Sequence, residues 1–74
     1  MEKKVYVYRI CIMDEDGERT DFFRLSYGAA KAFYDSLKKE IEGRGAALYL
    51  YFEYISDEDG IRTIKEEEHC YGWK

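Results

Sequence analysis

One pattern occurs twice in this chain, at residues 5–20 and 48–63, with an offset of 43 positions. The first copy reads VYVYRICIMDEDGERT and the second LYLYFEYISDEDGIRT. Nine of the sixteen aligned positions are identical: Tyr6/Tyr49, Tyr8/Tyr51, Ile12/Ile55, the whole Asp-Glu-Asp-Gly stretch, Arg19/Arg62 and Thr20/Thr63. Each copy places strand-forming residues on both sides of a turn. Aspartate at the first turn position bonds the turn backbone, and glycine at the fourth accepts a left-handed conformation. The pattern therefore predicts two related β-hairpins, each closed by a type I turn with a glycine bulge.

Between the hairpins the period changes. Tyr27, Ala30, Phe33, Tyr34, Leu37 and Ile41 recur at helical spacing. Ser26 can cap the first turn, and Gly43 and Gly45 stop the helix. The spacing predicts a helix over 27–42, with Asp35 and Lys39 paired on its outer side. The hairpins are expected at 5–25 and 48–67, and residues 69–74 are expected as a short tail. The fold class is α+β: one domain, 1–74, in the order β-β-α-β-β. Its four-stranded antiparallel sheet should run 2-1-3-4, with the repeat strands central and a pseudo-twofold relating the hairpins. One helix should cover one face. The two acidic turns would then sit at opposite ends, roughly 25–30 Å apart from the rise of a strand.

Pairing of residues 14 and 18 would place Cys11 opposite Asp21 and Val7 opposite Leu25. On that parity Val5, Val7, Cys11, Met13, Phe23 and Leu25 face the helix. Leu48, Leu50, Phe52, Tyr54 and Ile64 join them from the second hairpin. Arg9 falls on the same face and is expected to snorkel at the sheet margin. The opposite face then carries Tyr6, Tyr8, Ile10, Ile12 and Phe22. Tyr49, Tyr51, Glu53 and Ile55 complete it, with Lys65 opposite Glu53. No helix remains to cover this second face.

A chain of 74 residues buries only about 60% of the surface it exposes when unfolded, so its core is thin. Sixteen acids against twelve bases give a net charge of −4, which argues against a phosphate-backbone binder. The longest apolar run, Ala46 to Phe52, is too short to span a membrane. Glu2-Lys3-Lys4 leads straight into a strand with no apolar segment of signal-peptide type. Two isolated cysteines, Cys11 and Cys70, do not make a disulfide framework. The expected setting is a reducing cytosol.

Chemistry-bearing motifs are scarce. Asp-Glu-Asp-Gly invites a calcium loop, but alignment of Gly17 or Gly60 with the EF-hand glycine puts Ile12 or Ile55 at the first ligand position. His69 and Cys70 are adjacent, which is not a metal-ligand spacing, and the chain has one histidine. No histidine-paired nucleophile or glycine-rich phosphate loop is present. The expectation is a protein that is not an enzyme, with no cofactor and no metal.

Tyr6, Tyr8, Phe22, Tyr49 and Tyr51 would form one contiguous aromatic patch, and patches of that breadth mark interfaces. The expected partner is a protein, either foreign or a second copy forming a homodimer. Single-stranded nucleic acid also stacks on such sheets, but Arg24 and Lys65 are the only bases expected there, so direct nucleic-acid binding is not expected. In style the chain is similar to small acidic accessory proteins of phages and mobile elements, including inhibitors of host defence nucleases. That resemblance implies a second contact set, Asp14, Glu15, Asp16, Asp57, Glu58 and Asp59 with the run Glu66-Glu67-Glu68, seated in a basic nucleic-acid channel of a target enzyme.

Overall fold

In the computed structural model, which describes residues 3–73, five elements follow in the order β1 (Lys4–Met13), β2 (Arg19–Arg24), α1 (Tyr27–Glu40), β3 (Ala47–Ser56) and β4 (Gly60–Tyr71). All strand pairings are antiparallel, and the sheet order is β2-β1-β3-β4, as the repeat implied. The two repeat strands lie side by side in the centre. The two acidic turns lie at opposite ends of the sheet.

The first turn closes as its residues dictate. The Gly17 amide donates to the Asp14 carbonyl at 2.9 Å, and the Asp14 amide donates to Glu18 at 2.8 Å. Gly17 takes a φ of +89°, which a Cβ would strain. Cys11 then faces Asp21 as expected. The second, identical tetrapeptide closes in another register. Ser56 pairs with Gly60, and the Ser56 hydroxyl accepts the Asp59 amide at 3.0 Å. Ile12 faces Thr20, yet its repeat equivalent Ile55 faces Ile61.

Two bulges in β4 absorb the difference. Register shifts opposite Phe52/Glu53 and Leu50/Tyr51 leave Ile64 and Glu67 without partners. Beyond them Leu50 pairs with Glu68, the register the repeat implied. The expected pairing of Lys65 with Glu53 is therefore wrong: Lys65 faces Phe52, and Thr63 faces Glu53. The expected tail is also strand, as far as Tyr71. It is held because the Gly72 amide donates to Ala46 at 2.8 Å and the Gly45 amide donates to Gly72 at 2.6 Å.

Ser26 caps α1, its hydroxyl accepting the Ala29 amide at 3.2 Å. The helix ends at Glu40, two residues earlier than expected, with Ile41 as its cap. Asp35 pairs with Lys31 at 2.9 Å, not with Lys39. Lys31 also reaches Glu68 at 2.7 Å, which ties the helix to β4. Ala30, Tyr34 and Ile41 pack with Ala46 against Ile10, Leu48 and Leu50. Each fully buried leucine or isoleucine is worth about 1.5–3 kcal/mol, so this small cluster supplies much of the driving force.

The faces of the first hairpin are the reverse of the expectation. Tyr8 pairs with Phe52, Ile10 with Leu50 and Ile12 with Leu48. Directly opposed residues share a face. Tyr6, Tyr8, Ile10, Ile12 and Phe22 therefore lie on the helix side. Val5, Val7, Arg9, Cys11, Met13 and Phe23 lie on the helix-free side. The pairing joins even positions to even ones, whereas the repeat offset is odd, so Tyr6 and Tyr49 point to opposite faces. No helix of the described residues is long and apolar enough to cross a membrane.

Candidate interaction surface

The helix-free face takes alternate residues from every strand, because side chains in a strand alternate sides. At its centre the Arg9 guanidinium donates to both Glu53 carboxylate oxygens, Nε at 2.9 Å and Nη2 at 3.0 Å. Nη1 donates to Asp21 at 3.0 Å, and the Thr63 hydroxyl donates to Glu53 at 2.7 Å. Arg19 Nε meets Asp21 at 3.1 Å. The Tyr51 ring lies 4.6 Å from the Arg9 guanidinium. Side chains this long cover the strand beneath them. The Glu53 side chain is 1% exposed and that of Arg9 14%, although no other element of the described residues covers this face.

These contacts fix the charges. Burial pushes the Glu53 carboxyl up, but its hydrogen bonds from Arg9 and Thr63 outweigh burial and hold it below the usual range. Burial likewise raises Asp21, and Arg19 and Arg9 bring it below its ordinary value. Arg9 is held above its ordinary value by Glu53. Burial, with the adjacent Asp21, pushes the Cys11 thiol up. The centre is thus a closed network of opposite charges. It is not a margin where Arg9 snorkels.

Apolar and aromatic groups flank this network on the same face. Val5, Ile55 and Ile61 form one cross-strand row at the end near the second turn. Tyr49 stacks on Tyr51 at 5.9 Å, and His69 bridges from Tyr49 to Tyr71. Met13, Phe23, Ile55, Ile61 and Tyr71 stay exposed.

The expected aromatic patch is therefore split. Tyr49 and Tyr51 belong to the helix-free face. Tyr8 packs between Phe52 at 4.9 Å and Tyr27 at 5.6 Å, and Phe22 against Phe33 at 4.9 Å, so both serve the core side. Tyr6 stacks on Phe52 at 5.8 Å and remains half exposed beyond the helix. Sequence reasoning missed the Arg9–Glu53–Asp21 network. Its one signal was a pair of lone opposite charges inside otherwise apolar strands.

The acidic sets remain apart. Asp14, Asp16 and Glu18 bring one carboxylate oxygen each within 4.8 Å of one another on the first turn. That arrangement has local explanations: Asp16 accepts the Glu18 amide at 3.3 Å, and Arg44 lies 3.9 Å from Asp14. At the other end Asp59 accepts the Tyr54 hydroxyl at 3.0 Å. A cleft of about 290 Å³ lies between the first turn and the chain end, lined by Glu15, Gly45, Ala46, Tyr71, Gly72 and Trp73. No family model, curated protein or solved structure matches the chain.

Proposed function

We propose that the chain is a non-enzymatic protein-binding module that engages its partner through the helix-free face. The carrying observation is the set of exposed residues Met13, Phe23, Ile55, Ile61 and Tyr71 on both sides of a charge network that is already satisfied. A buried charge must be paired before an interface can cover it, and this network needs nothing from a partner. Tyr49 and Tyr51 supply the rigid aromatic anchors that concentrate binding energy. The single histidine, His69, lies among Tyr49, Tyr71 and Glu66. The narrower form of the proposal is an inhibitor of a nucleic-acid-handling or defence enzyme, with the exposed acidic turns meeting basic rims.

The test is affinity capture of the partner by the wild-type chain and by two variants. Tyr49→Ala with Tyr51→Ala should weaken capture by at least about 2 kcal/mol, the scale of interface hot spots. Asp14, Asp16, Asp57 and Asp59 changed to Asn should mainly slow association and weaken its salt dependence. Loss in the Asn variant with full retention in the Tyr variant would move the contact to the acidic turns. The closed network also favours a second reading, a face-to-face pair of copies, because two such faces would meet without unpaired central charge. A dimer in sedimentation equilibrium that the Tyr variant dissolves supports the pair, and a strict monomer leaves the foreign partner.

A further inference from the structure

β1 is longer than its neighbour. It pairs with β3 along all of Lys4–Met13 but with β2 only from Tyr8 onward. β2 ends at Arg24, and the chain turns into α1 through Leu25 and Ser26. Lys4–Val7 therefore have a strand on one side and none on the other among the described residues. The direction of the free groups follows from the turn. The Asp14 amide donates across the hairpin to Glu18, and antiparallel residues alternate in which neighbour they address. Tyr6 and Lys4 thus aim their N–H and C=O groups out of the open edge.

The same notch gathers apolar side chains. Val5 is 53% exposed, Tyr6 52% and Leu25 78%, and Phe23 and Tyr27 beside them are also exposed. An edge strand normally blunts such a template. The opposite edge does so in β4, with two bulges and the run Glu66-Glu67-Glu68. The notch has no bulge in its pairing. Its two faces differ in kind. Lys4, Tyr6 and Arg24 stand on the helix side, and Val5, Val7 and Phe23 on the other. Neither Lys4 nor Arg24 has a carboxylate partner among the described residues. Lys4 sits 4.7 Å from the Tyr54 ring, and Arg24 sits 4.4 Å from Phe33 and donates to the Phe23 carbonyl.

We propose that this edge takes up an extended segment of a partner protein as an added strand, in line with β2, in which acidic and aliphatic residues alternate. Acidic side chains would meet Lys4 and Arg24 on the helix side. Aliphatic ones would pack on Val5 and Phe23, and the backbone would pair with Tyr6. A second copy in the same place would bring two sets of Lys4 and Arg24 together, so the charges select a foreign segment. This contact shares Val5 and Phe23 with the helix-free face but does not use Tyr49 or Tyr51.

The probe is a capped peptide of about six residues, alternating Glu and Val, long enough to span the open edge. Backbone amides of the protein are followed by NMR shift and hydrogen exchange. The expected result is saturable binding with slowed exchange at the Tyr6 amide. A Lys–Val peptide should bind at least about tenfold more weakly, and Lys4→Glu, which leaves Arg24 opposed by a new carboxylate, should abolish that preference. A peptide N-methylated along its pairing edge should not protect Tyr6. The Tyr49→Ala, Tyr51→Ala variant should bind the peptide as the wild type does, so failure here and failure of the face proposal are distinguishable. No protection of Tyr6, equal binding by the N-methylated peptide, or an unchanged preference in Lys4→Glu overturns the proposal. Protection that grows with protein concentration alone also overturns it, because a second copy then fills the edge.

Discussion

Arg9 and Glu53 form a bidentate ion pair across the helix-free face. Both stand on central strands, and each completes the other's hydrogen bonding. A buried pair of this kind contributes little over an apolar pair of the same shape, yet removal of one partner strands the other. Arg9→Ala should therefore lower unfolding free energy by about 3 kcal/mol or more, since it leaves a carboxylate unpaired. Arg9→Met with Glu53→Leu should return to within about 1 kcal/mol of the wild type. Urea unfolding of the two variants measures the difference. Equal losses in both would mean that the packing, and not the charge, matters at this position.

At the scale of elements, the close approach of the chain end to the helix end depends on Gly72. A Cβ there would collide with the Ile41 carbonyl, a backbone group that cannot swing aside. Gly72→Ala should detach the end of β4 and cost about 2 kcal/mol, the worth of its two backbone hydrogen bonds. Faster hydrogen exchange at the Gly45 and Gly72 amides would report it. Gly28→Ala is the contrast, because open space surrounds that position in α1. It should stabilise by about 0.5 kcal/mol. Unchanged exchange in Gly72→Ala would show that the end of β4 is held by side chains instead. The helix start and the first turn were legible in the sequence because each depends on a few neighbouring residues, Ser26 for the one and Asp14 and Gly17 for the other, and the strand order followed from the repeat and the helix between its halves. The face of each first-hairpin aromatic was not. It depends on how β1 meets β3, strands joined through β2 and a helix, with no turn to fix their register. The bulges at Ile64 and Glu67 were hidden for a similar reason, since both residues read as ordinary strand. Tyr49 and Tyr51 were placed correctly because β3 faces were. Tyr6, Tyr8 and Phe22 were not.

The molecule measures 48 × 25 × 15 Å, so its sheet is long and only partly backed by one helix. Such a thin structure leans on its ionic network, and acid should expose that dependence. Glu53 and Asp21 have folded values below their unfolded ones, so the unfolded chain binds more protons near about pH 4. Their stabilisation is present above the unfolded values and is lost as pH falls through the folded ones. The urea midpoint should thus stay level from neutral pH to about 5 and drop below about 4, with a shallower drop in Glu53→Gln. An acid limb unaltered in that variant would place the sensitivity elsewhere. The bulged strand has a further consequence. Ala47–Phe52 reads ALYLYF, uncharged, free of proline and rich in strand formers, the composition of a steric zipper. It lies between β1 and β4, and the kinked outer edge of β4 offers no flat row on which another chain can stack. Fibril growth from this protein would have to begin with the peeling away of β4 or of β1. The least regular strand in the fold therefore guards one side of its most fibril-prone segment, and β1 guards the other.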